Sequence, residues 1–170
     1  MNDNTLIKQA RQGDKDALIN LVMAKQNEYY RLALVHTGSP EDAMDALQDM
    51  IIILYEKINQ LKNEASFYTW SMTILVNCCR KIHRQQRKLT WLYELKDGFL
   101  PPTDHLEEKI DIQAAIEKLS APQREAVKLK YILDMDYETM AKVLQVPTGT
   151  AKSRVFNGLR NLKIIMGGEQ

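Results

Sequence analysis

The chain predicts an all-α protein of two small helical domains joined by a flexible linker, and three features of its 170 residues say so. Strand signals are almost absent. Apolar residues recur at three- and four-residue spacing behind repeated helix-start signals. One stretch, KDGFLPPTDH, interrupts that periodicity with Gly98 and the pair Pro101-Pro102, all hostile to a helix. The expected division is a first domain over 1–95, a linker over 96–110 and a second domain over 111–170.

Asp14 can cap a long helix carrying Leu18, Leu21, Val22, Tyr29, Leu32 and Val35, which ends near the turn His36-Thr37-Gly38. Ser39-Pro40-Glu41-Asp42 then supplies a cap, a first-turn proline and acids suited to a helix N-terminus. Behind it Leu47, Met50, Ile51, Leu54, Ile58 and Leu61 form a stripe that is core by default. Lys62 to Ser66 is polar and breaks the period, so a loop is expected there. A helix resumes from Phe67 to Lys88, apolar at its start and basic at its end. Beyond the linker a second helical unit begins near Leu106, and Ser120-Ala121-Pro122-Gln123 reads as a capping box opening a helix through Leu129.

Composition bounds the function. With 45% apolar and 26% charged residues, one domain or two small helical ones can bury a core. No run approaches the roughly 20 apolar residues of a membrane helix, and the start, MNDNTLIKQARQGD, lacks the apolar stretch of a signal peptide. A cytoplasmic protein is expected. The two cysteines, Cys78 and Cys79, are adjacent in a helical pattern, which suits neither a disulfide nor a zinc site and reads as core. There is no phosphate-binding glycine loop, HExxH or CxxC, and His36, His83 and His105 are scattered, so no catalytic residue, metal or cofactor is expected. The net charge is only +1, but it is unevenly spread. Acids cluster at Glu41, Asp42, Asp45 and Asp49 and again from Asp104 to Asp111, while RKIHRQQRK places five permanent cations in nine residues. Such alternation gives one face for DNA and another for a protein partner.

Three constellations carry that expectation. In DYETMAKVLQVPTGTAKSRVFNGLR, Asp136 can cap a short helix with an apolar stripe of Tyr137, Met140, Ala141 and Leu144. Val146-Pro147 ends it, and a second helix follows with Ala151 and Val155 facing inward. Its outward residues, Thr148, Thr150, Lys152, Ser153, Arg154, Asn157 and Arg160, suit a helix-turn-helix that reads a DNA major groove. In the second, Lys62 and Asn63 precede Phe67, Tyr68 and Trp70, then Asn77, then Arg80, Lys81, Arg84, Arg87 and Lys88. Rings beside a cationic ridge suit unpaired bases, which stack on aromatics while cations hold phosphates, and Asn77 can read a base edge. Phe67 and Trp70 also fit a reading as core anchors. The third is Asp45, Gln48, Asp49 and Ile52, an acidic and amide-bearing ridge edged by isoleucine that suits a partner's basic helix.

With these segments in order, the chain resembles a bacterial RNA polymerase sigma factor of the extracytoplasmic-function (ECF) type, which keeps only sigma regions 2 and 4. SPEDAMDALQDMIIILY looks like that family's core-binding helix, and ASFYTWSMTILVNCCRKIHRQQRK like its promoter-melting and minus-10-reading segment. LSAPQREAVKLKYILDMDYETMAKVLQVPTGTAKSRVFNGLRNLK looks like region 4. The resemblance implies that Asp45, Gln48, Asp49 and Ile52 dock on the clamp helices of the polymerase largest subunit. It implies capture of a flipped minus-10 base by the loop from Lys62 and the helix after it, near Asn77, with Arg80, Lys81 and Arg84 on the backbone. It also implies that the helix from Thr148 to Lys163 lies in the minus-35 major groove, that region 4 meets the flap of the second-largest subunit, and that an anti-sigma factor holds the protein inactive.

Three positions depart from the family pattern. Asp49 stands where glutamate is common, ILVN lacks the arginine often found just before Asn77, and Gln145 occupies a turn position where glycine is frequent. Two other functions remain compatible with the helices. One is a stand-alone helix-turn-helix regulator that binds an operator as a dimer, and the other is a helical adaptor that binds only proteins.

Overall fold

The computed structural model describes residues 2–97 and 112–167, and among these every regular element is helical. The described residues form two compact units. One contains the residues up to His83 with Lys142–Gln145, the other Arg84–Ala141 with the residues from Val146 onward.

The first unit opens with α1 (Asp3–Arg11), which the hydrophobic pattern did not announce because only Ile7 and Ala10 of it are buried. Gly13, at φ 95°, closes it: its N–H donates to the Ala10 carbonyl at 3.0 Å and the Asp14 N–H to the Gln9 carbonyl at 3.1 Å. Asp14 then caps α2 (Lys15–Ala24) as expected, its Oδ1 accepting the Ala17 N–H at 3.1 Å. The expected single helix from Asp14 to Thr37 is in fact two. The chain bends at Lys25 (φ −121°, ψ 19°) before α3 (Gln26–Thr37). No glycine or proline marks the bend, and the apolar period of Leu18, Leu21 and Val22 runs in phase into Tyr29 and Leu32, so periodicity alone saw one helix.

Gly38, left-handed at φ 73°, ends α3, and Ser39 Oγ caps α4 (Pro40–Lys57) by accepting the Asp42 N–H at 3.3 Å. The core face of α4 is Ala43, Ala46, Met50 and Leu54, continued by Ile58 and Leu61, whereas Leu47 and Ile51 are only half-buried. The buried stripe is thus turned from the expected one. The two alanines let α3 and α4 pack closely, and a pattern read from large side chains overlooks them. After 3₁₀ turns at Ile58–Gln60 and Glu64–Ser66, the expected loop being partly helical, α5 runs from Phe67 to Asp97. It passes the expected end at Lys88 and takes in residues 96 and 97 of the expected linker, whose remainder lies outside the described residues, as does the expected start near Leu106.

In the second unit α6 (Ile112–Glu117), α7 (Ala121–Val127) and α9 (Thr148–Ile165) bury Ala115, Ile116, Leu119, Val127 and Leu162 together. Ser120 precedes α7 but its side chain makes no capping bond, so the expected capping box is absent, and the carbonyl of Ser120 takes the Arg124 N–H instead. Helix α7 passes into a π-helical turn at Lys128–Ile132. A Cβ on Gly158 of α9 would lie 2.7 Å from Val127 Cγ2, so glycine permits the close crossing of α7 and α9.

The helix-turn-helix follows the sequence closely. Asp136 Oδ1 accepts the Thr139 N–H at 2.9 Å and opens α8 (Tyr137–Leu144). Gln145 adopts φ 56°, the Val146 N–H donates to the Ala141 carbonyl at 3.0 Å, and the Gln145 N–H donates to that of Lys142 at 3.3 Å. This is the helix ending that favours glycine, occupied by a residue with a Cβ. Gln145→Gly should therefore raise stability by about 1 kcal/mol in urea unfolding, and a loss of stability would show that the glutamine side chain has a compensating contact.

Candidate nucleic-acid interface

The orientation of α5 is fixed by two polar ties to α3. The phenol of Tyr29, which is fully buried, lies 2.7 Å from Ser71 Oγ. Burial pushes the phenol far above its usual range, so it stays protonated and hydrogen-bonded. Twelve residues on, the His83 ring bonds the carbonyl of His36, itself buried with Nδ1 3.2 Å from the Leu32 carbonyl. At about 100° per residue, Asn77, Arg80, Lys81, Arg84, Arg87 and Lys88 fall roughly 160–280° around the axis from Ser71. Leu75, Val76, Cys78 and Cys79 share the inner side and are buried. Asn77, Lys81, Arg84, Arg87 and Lys88 are exposed and Arg80 half-buried, with Arg80 Nη1 donating to Asn77 Oδ1 at 3.2 Å. The helix thus carries a cationic outer ridge that begins at a carboxamide.

The segment in front of it separates into roles. Lys62 and Asn63 are exposed, and Asn63 Oδ1 caps the 3₁₀ turn by accepting the Ala65 N–H at 3.0 Å. Phe67 is wholly buried, with Tyr68 edge-on at 5.3 Å and Trp70 tilted at 6.5 Å. Its ring is a core anchor and is not offered to a base, which corrects the expectation that it contacts DNA. Tyr68 and Trp70 are half-buried and keep part of each ring at the surface. Tyr68 is further held by its hydroxyl, which donates to Asp3 Oδ2 at 3.2 Å, and by Lys25 Nζ 5.6 Å from its ring. Burial, then the Asp3 charge, pushes its phenol up to about 12. Sequence reading missed Asp3 and Lys25, since pairings across the fold leave no mark in local pattern.

On α4, Asp45, Gln48 and Ile52 are exposed and Asp49 half-buried, and their spacing of three, four and seven residues puts them on one face. Lys81 Nζ lies 4.0 Å from Asp49 Oδ2, with both side chains open to solvent screening, so the pair is weak and the ridges of α4 and α5 adjoin. On α9, Ala151 and Val155 face inward as expected, while Lys152, Ser153 and Arg160 are exposed and Thr148, Thr150, Arg154 and Asn157 half-buried. Phe156, 67% exposed beside Ser153 and Arg160, was missed. Its position off the Ala151-Val155 stripe was the available signal.

Comparison with known proteins fits this arrangement. Residues 21–89 match the family model for sigma-70 region 2 and residues 109–162 that for sigma-70 region 4, together more than half of the chain. The ECF RNA polymerase sigma factor SigW of Bacillus subtilis is 28% identical, with 92% of each chain covered. The chain belongs to the sigma-70 family, as an RNA polymerase sigma factor of the ECF type. It directs promoter recognition and transcription initiation. Two solved structures share the fold. CnrH in complex with the cytosolic domain of CnrY has a TM-score of 0.70 at 19% identity over 99% of both chains. The sigma factor RpoE with the anti-sigma factor NepR from Bartonella quintana has 0.61 at 24%, over 88% of this chain and 96% of that one.

Two outcomes follow for this sigma factor. Phe67→Ala should cost about 3–5 kcal/mol in thermal or urea unfolding, whereas Trp70→Ala, which removes a half-buried ring, should cost less; equal stability of Phe67→Ala and wild type would return the ring to the surface. Burial pushes the Cys78 thiol up to about 11, with Asp49 adding to the rise, and Cys79 is fully buried. Both should resist iodoacetamide in the native protein and react on unfolding, read by mass; prompt native labelling would mean that α5 opens.

Proposed function

We propose that region 2 lends this sigma factor its polymerase contact and its single-strand reading on two adjacent helices, and that region 4 supplies duplex reading on a third. The observation that carries the proposal is the sorting of α5 into a buried inner face and an outer ridge of Asn77, Arg80, Lys81, Arg84, Arg87 and Lys88. The outer ridge tracks the phosphates of the minus-10 element, Asn77 reads an extruded base, and Tyr68 and Trp70 with Lys62 and Asn63 line its approach. Asp45, Gln48, Asp49 and Ile52 dock on the clamp helices of the largest polymerase subunit. Thr148, Thr150, Lys152, Ser153, Arg154, Asn157 and Arg160 face the minus-35 groove, where Phe156 suits a thymine methyl. The domain limits that go with this reading are 1–95 and 111–170.

The protein has no chemistry of its own in this reading and works in the cytoplasm. Among the described residues no helix is long and apolar enough to cross a membrane. An anti-sigma factor is its expected regulator, as its fold likeness to a sigma factor solved with NepR suggests, and the flap of the second-largest subunit is the expected polymerase partner of region 4.

Run-off transcription with purified core polymerase on a fragmented genomic library tests the whole reading. Starts that depend on the protein and share two spaced upstream elements are expected, and their absence would sink it. Asn77→Ala should weaken open-complex formation while leaving polymerase pull-down intact, and Asp45→Arg with Asp49→Arg should abolish the pull-down with the helical circular-dichroism signal unchanged. Equal loss of both activities in Asn77→Ala would refute the separation of the ridges.

A further inference from the structure

We propose that α1 is a clasp for the base-reading loop of region 2, and that Asp3 and Arg11 on it are positioning residues for minus-10 recognition. The loop from Lys62 to Ser66 hangs between two buried side chains, Leu61 and Phe67. Within it Asn63 Oδ1 accepts the Ala65 N–H at 3.0 Å, and the Asn63 carbonyl accepts the Ser66 N–H at 3.0 Å. Helix α1 packs against the 3₁₀ turns before and inside this loop. Asp3 Oδ2 accepts the Tyr68 hydroxyl at 3.2 Å just beyond the loop, and Arg11 Nη1 lies 3.7 Å from Glu64 Oε1 inside it.

Asp3, Ile7 and Arg11 follow one another at four-residue spacing, which puts them in one row along α1, about 12 Å from end to end. The middle of the row is the buried Ile7, and each end is a charge that reaches across to the loop segment. Both charges suit the helix dipole, an acid in the first turn and a base in the last, but that role needs no partner on another element. With only Ile7 and Ala10 of α1 buried, its apolar hold is small, and the polar ends decide where it lies against the loop. Neither tie adds much to global stability, since both are open to water. Their effect is on geometry. Tyr68 has Phe67 edge-on at 5.3 Å and Lys25 Nζ 5.6 Å from its ring, so fixing its hydroxyl as well restricts the ring to one orientation. A loop and ring held in place before a base arrives spare the cost of ordering them on binding. The sign of the charges points the same way. Asp3 and Glu64 are carboxylates beside a path for phosphates, which they repel, so their value there lies in what they hold.

This inference rests on the reading of the loop and α5 as the single-strand surface, and the test separates the two. The full chain is assembled with core polymerase, and its binding to a fluorescent single-stranded oligonucleotide is followed by anisotropy. The oligonucleotide carries the non-template minus-10 strand of a promoter found among the run-off starts. Asp3→Ala and Glu64→Ala should each weaken binding about 2- to 10-fold, the equivalent of one net hydrogen bond, with polymerase pull-down unchanged. Coulomb's law alone gives the opposite sign, tighter binding once an acid is removed. Asp3→Asn, whose amide oxygen can still accept the phenol proton, should retain wild-type binding. Tyr68→Phe should match Asp3→Ala, and the double variant should lose no more than either single one, because both remove the same bond. Asp16→Ala, which removes an exposed acid of α2, should change nothing. Unchanged or tighter binding in Asp3→Ala, additive losses in the double variant, or an equal loss in Asp16→Ala overturns the clasp. A fall in the thermal unfolding midpoint that tracks the binding loss would make α1 a purely structural helix and also overturns it. If Asn77→Ala weakens binding while Asp3→Ala does not, only this inference falls. If neither matters, the single-strand reading of α5 falls with it.

Discussion

The buried hydroxyl of Tyr29 is the constraint on which region 2 depends. A phenol with no exposure must find a partner or lose the hydration it had in the unfolded chain. Ser71 supplies it at 2.7 Å and is itself anchored 2.8 Å from the Tyr68 carbonyl. That bond admits one rotation of α5 against α3. Once the rotation is set, helical geometry puts Asn77 and the cations on the far side, and the outer ridge is a consequence of an inner contact.

Region 4 rests on an approach instead. Gly158 brings α9 against α7 where a Cβ would strike Val127, and the apolar cluster of Ala115, Ile116, Leu119, Val127 and Leu162 closes around that crossing. The tight turn before α9 is held by backbone bonds from Gln145 and Val146 despite the strained φ of Gln145. The outward residues of α9 are thereby presented from a rigid element, with few degrees of freedom left to order on binding.

A net charge of +1 conceals the electrostatics of the molecule. Acid and base are sorted by helix face, and where the α4 and α5 ridges adjoin, Asp49 and Lys81 face each other at 4.0 Å. A pair so exposed contributes little to stability. Both groups remain available to partners of opposite charge.

The sequence by itself determined much of this protein: the all-α class, the caps at Asp14, Ser39 and Asp136, the helix-turn-helix with Ala151 and Val155 inward, and the family. These are local matters, set by residues within a few positions of one another. It did not disclose the bend at Lys25, where the apolar period continues without a breaker, nor the alanine face of α4, because a small buried side chain carries no strong signal of its own. Nor could it decide between ring as anchor and ring as stacking surface. Phe67 and Trp70 are three residues apart on one helix, and only the tertiary structure buries the first and leaves part of the second in solvent. Burial depends on which neighbours arrive from distant parts of the chain.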